Sequence, residues 1–89
     1  MTKEKFKETV LEGVRRRKGF MIVKIETEGN PAPEIIINSA ENFAQKTDYY
    51  LKAYNDNMEL IKAKESGKSI RIVDVLMTSN LNELSWFVY

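Results

Sequence analysis

The chain has 89 residues, 43% hydrophobic and 30% charged, with 14 Lys and Arg against 13 Asp and Glu; a chain of this size buries about 60–65% of its unfolded surface and supports one modest core. With only 4 Gly and 2 Pro, neither a disordered nor a collagen-like chain is a sensible reading. It contains no Cys and no His, which removes disulfides, thiol nucleophiles, Cys/His zinc sites, imidazole bases and haem held by histidine or thiolate.

Thr2 is placed to cap a first helix over roughly 3–18, where Phe6, Val10, Leu11 and Val14 recur at helical spacing, and Gly19 is placed to supply a left-handed end. Phe20 to Glu28 then alternates with period two and predicts a half-buried strand. Gly29-Asn30-Pro31-Ala32-Pro33 interrupts it, and Glu34 to Asn38, with three consecutive isoleucines, predicts a second strand paired to the first in a hairpin. Asn38 or Ser39 opens a main helix, with Glu41 at the capping-box distance from Asn38. Its apolar positions Phe43, Tyr50, Leu51, Tyr54, Met58 and Ile61 carry it as one long helix over 39–65, with Asn55-Asp56-Asn57 as the point where it would kink or break. Ser69 to Thr78 predicts a third strand, in which Asp74 shares the Ile70, Ile72 and Leu76 face and violates its apolar alternation. For the C-terminus two readings compete: a short helix capped by Asn80 with Glu83 three residues on, and a strand over 84–89, which the aromatic and β-branched residues favour.

The resulting order, α-β-β-α-β-β, predicts a single small two-layer α+β domain over 1–89: an antiparallel sheet with a short N-terminal helix and a long central helix on one face. Several strands carry apolar residues on both sides, so the second face needs cover from a helix or from a partner, and a homodimer is one way to supply it.

The near-zero charge hides an asymmetry. Residues 1–19 hold seven cations and three carboxylates, for +4, while the remaining chain holds 7 basic and 10 acidic residues, for −3. Arg15, Arg16, Arg17 and Lys18 form the strongest local cluster, suited to favourable cation placement at a helix C-terminus, to an acidic protein surface or to phosphates. Among the aromatics, Tyr50 and Tyr54 stack on one helix side as core, whereas Tyr49 points roughly 100° away and is the better exposed anchor. In a terminal strand Phe87 and Tyr89 share a face and would join it as protein-binding residues. A carboxylate enzyme finds no identifiable partner for Asp74, which is expected to bond backbone or to meet a cation. Glu26, Glu28 and Glu34 lack calcium-loop spacing, and Glu65-Ser66-Gly67-Lys68-Ser69 lacks the backbone nest of a phosphate loop.

These features predict a non-enzymatic protein-binding or regulatory module acting by surface contact, with no cofactor and no metal. The alternative is nucleic-acid binding through Arg15, Arg16, Arg17 and Lys18, assisted by Lys3, Lys7 and Lys24. No targeting segment is legible at the N-terminus, and no apolar run approaches the roughly 20 residues that cross a bilayer, so a cytoplasmic protein without membrane contact is expected.

Overall fold

Thr2 begins the first helix as read: its Oγ1 accepts from the Lys5 N–H at 3.1 Å, and α1 runs Lys3–Arg15. It stops three residues before the expected end. The N–H of Arg17 donates to the Val14 carbonyl and that of Lys18 to Gly13, the paired bonds of a Schellman turn. The left-handed residue is therefore Arg17, at φ 56°, and not Gly19. The computed structural model describes residues 1–88; the expectation for Tyr89 lies outside the described residues.

Period-two alternation gives β1 (Phe20–Thr27) and β2 (Glu34–Ser39), joined across the Pro/Gly loop in an antiparallel hairpin with Ile22 opposite Ile37 and Val23 opposite Ile36. Strand β3 (Ile70–Thr78) pairs antiparallel with the other side of β1, so the sheet order is β2-β1-β3. Lys24 faces Asp74 but Ile25 faces Ile72, which leaves Val73 as the extra residue of a β-bulge. The bulge corrects the reading of Asp74. It switches the alternation, so Ile70 and Ile72 share the helix-covered face with Val75 and Met77, while Asp74 and Leu76 lie on the opposite one. Asp74 Oδ1 accepts from the Val75 N–H at 2.8 Å, the expected backbone bond.

The long helix over 39–65 is not continuous. Asn38 is buried in β2, where its amide donates to the Met21 carbonyl, so it cannot cap a helix. A 3₁₀ turn at Ala40–Asn42 leads into α2 (Phe43–Ala53), and a separate α3 spans Ile61–Glu65. Asn55 makes the break. Its Oδ1 accepts from the N–H groups of Asn57 and Glu59, and its N–H donates to the Glu59 carbonyl. Met58 enters the core there at φ 57° and is fully buried. Beyond it the chain stitches to β3: the Ile72 N–H donates to the Met58 carbonyl, and the Leu60 N–H to Ile70.

No fourth strand forms among the described residues. The helical reading of the C-terminus holds, because Asn80 Oδ1 accepts from the Asn82 N–H and the buried Thr78 hydroxyl bonds the Glu83 carboxylate. A 3₁₀ turn at Leu81–Glu83 continues into α4 (Leu84–Phe87). The fold is α+β with a three-stranded antiparallel sheet. Helices α1 and α2 bury Met21, Val23, Ile25, Ile72 and Val75 with Phe6, Val10, Phe43, Tyr50 and Tyr54. On the second face α4 gives partial cover: Phe87 is buried, and the Lys24 ammonium donates to its carbonyl at 3.0 Å while lying 5.6 Å from its ring centroid.

Candidate functional site

Helices α1 and α2 run in opposite directions, and the residues between them differ from end to end. At the start of α1 the gap is filled. Phe6 meets Tyr50 edge to face at 5.8 Å, Tyr50 meets Tyr54 at 6.0 Å, and Lys3 Nζ donates to the Leu51 carbonyl at 2.7 Å. At the other end α2 and its entry present Ala40, Ala44 and Thr47, too short to reach α1. A surface groove of about 570 Å³ remains, lined by Val10, Leu11, Val14, Phe43 and those small residues, with Arg17 and Lys18 at its end. Leu11 is 61% exposed and Val14 48%. Among the described residues no carboxylate lines the groove, whereas the hollow on the far side of α1 mixes Lys5, Arg16 and Lys18 with Glu8 and Glu12.

The four-cation cluster is divided. Arg15 and Arg16 both bond Glu12, at 2.5 and 2.7 Å, and the bond from Arg16 together with the charge of Arg15 holds the Glu12 carboxyl below its ordinary range. Arg17 lies at the groove end, and Lys18 borders both the groove and the hollow on the far side of α1. Glu12 was the residue that a count of basic side chains passed over, although its i,i+3 and i,i+4 spacing to the two arginines was present in the sequence.

Tyr49 is 51% exposed, as expected, on the side of α2 that faces Leu60 and Ile61 and away from the groove. Phe87 is not an exposed anchor: a helix in place of a strand turns it inward, to 3% exposure, and turns Trp86 outward, to 57%. The structure thus brings Arg17 and Lys18 together with Leu11 and Val14, and leaves Tyr49 and Phe87 elsewhere. Leu11 and Val14 were missed as surface residues because helical spacing assigns every apolar position of α1 to the core. The available signal was Gly13, whose missing side chain lets α1 lie against Met77 and so rotates Leu11 and Val14 off the sheet.

Among the described residues no cluster of three or more acidic side chains is arranged to hold a metal ion, and no helix is long and apolar enough to cross a membrane. Compared with known protein families, curated proteins and solved structures, the chain matches none.

Proposed function

We propose that the chain is a non-enzymatic protein-binding module whose α1/α2 groove receives an amphipathic helix of a partner protein, apolar along one side and acidic at one end. The groove carries this proposal, since it joins exposed Leu11 and Val14 to two cations with no lining carboxylate among the described residues. From Ala40 to Thr47 it extends about 10 Å, or two helical turns, which suits ligand anchors three and four residues apart. Apolar side chains would supply the affinity and Arg17 and Lys18 the orientation. We include a cytoplasmic setting, which the cysteine-free sequence favours. Nucleic-acid binding has less support, because two of its four cations are already paired with Glu12.

The test is an NMR titration with a synthetic amphipathic helix bearing leucines on one side and glutamates at one end. Shifts are expected at Leu11, Val14, Ala44 and Thr47, and Leu11→Asp should weaken binding by roughly tenfold or more. A peptide with lysines replacing the glutamates should bind more weakly; equal binding of the two peptides, or none, would sink the proposal. Salt-sensitive oligonucleotide binding that disappears in an Arg15/Arg16/Arg17→Ala variant would favour the nucleic-acid alternative.

A further inference from the structure

The two edges of the sheet are treated differently. Along the first half of β3 the Ile70 carbonyl accepts from the Leu60 N–H and the Ile72 N–H donates to the Met58 carbonyl. Along β2 the outward groups can be identified from the ladder. The Ala40 N–H donates to the Gly19 carbonyl at 3.0 Å, one step beyond the Phe20–Ser39 pair. Bonding to β1 recurs at every second residue of an antiparallel ladder. Asn38, Ile36 and Glu34 therefore direct their backbone groups at β1, and Ile35, Ile37 and Ser39 direct theirs outward. Among the described residues no bond outside the strand ladder involves the N–H or carbonyl of Ile35 or Ile37, and the alternation assigns them none within it. Edge strands are usually guarded by lysine, proline or a bulge. Glu34–Ser39 contains none of these, and Ile37 is 47% exposed.

We propose that two copies of the chain join edge to edge, their β2 strands pairing antiparallel about Ile36 into one six-stranded sheet. The choice of a second copy rests on self-complementarity. About Ile36, the outward Ile35 of each copy meets the outward Ile37 of the other, exchanging four backbone hydrogen bonds across the pair. Ile36 meets Ile36 on the helix-covered side, and Glu34 meets Asn38, so no like charges oppose each other. The exposed Ile37 gains an isoleucine neighbour on the second face. This surface is separate from the α1/α2 groove, so the two proposals stand or fall independently.

Sedimentation equilibrium from low micromolar to millimolar concentration tests it on the full chain. The wild type should approach twice the 10.3 kDa monomer mass, with slowed amide exchange at Ile35 and Ile37 in the dimer. Ile37→Pro removes an outward N–H and no bond to β1, and should weaken association roughly thirtyfold, for two hydrogen bonds lost per dimer. Ile37→Lys, at an exposed side chain, checks the same edge in a variant that keeps the backbone donor and should also weaken association. A wild type that stays monomeric overturns the proposal, as does a dimer indifferent to both substitutions or one dissolved by Leu11→Asp. Acidic-helix binding measured on monomeric Ile37→Lys reports on the groove alone.

Discussion

Arg17 holds a backbone conformation that costs a non-glycine residue about 1–2 kcal/mol, and it does so at the end of the proposed groove. Arg17→Gly should raise stability by roughly 0.5–1 kcal/mol after glycine's larger entropy loss, seen as a higher urea midpoint at unchanged slope. Acidic-helix binding should weaken in the same variant. No gain in stability would mean that the turn carries no strain. Met58 shares the unusual φ for another reason: inverting the backbone there puts its side chain fully into the core. The polar triplet Asn55-Asp56-Asn57 was legible as a weak point. The inversion at Met58 was not, since Tyr54, Met58 and Ile61 also satisfy helical spacing. The Asn55 side chain decided the outcome by satisfying two backbone donors that a helix would have used otherwise.

Between elements, α1 packs tightly on β3 at Gly13. A Cβ on Gly13 would lie 2.4 Å from both Cβ and Cγ of Met77. Helix propensity alone favours Gly13→Ala by about 1 kcal/mol, while overpacking costs about 1–3 kcal/mol. The near end of Met77 cannot swing aside, so packing should win and the melting temperature should fall; a rise would show that α1 can lift from the sheet without loss. The first hairpin and β3 were legible because period two is strong in both. The bulge was visible only as an anomaly at Asp74, since alternation cannot distinguish a misplaced acid from an inserted residue. At the C-terminus, aromatic and β-branched propensity pointed to a strand. The Asn80 cap, the Thr78–Glu83 bond and the burial of Phe87 beside Lys24 outweighed it.

For the whole molecule, the tyrosines set an alkaline limit. Burial raises both Tyr50 and Tyr54, the latter from 10.0 to about 12. Their neutral forms suit the fold, so this contribution is intact below about pH 10, where both folded and unfolded chains keep the proton. Above it the unfolded chain ionises first, and stability falls as pH rises toward about 12. Urea midpoints at stepped alkaline pH should decline across that window, and less steeply in Tyr54→Phe; parallel profiles would contradict the assignment to Tyr54. The groove itself was only half legible. Its cations were visible as a cluster, but its apolar walls depend on how two helices splay across the sheet, which periodicity along one helix does not encode.

The Met58–Leu60 stitch on β3 bears on how far association can proceed. An open strand at each side of a sheet would let copies add without end, in the manner of a fibre. With β3 stitched along its first half and β2 matched to itself, joining two copies consumes both β2 edges and leaves the second half of β3 as the free edge at each end. The proposed two-fold therefore uses up the edge with the unbroken run of outward groups, and any further copy would have to pair through the shorter free stretch of β3.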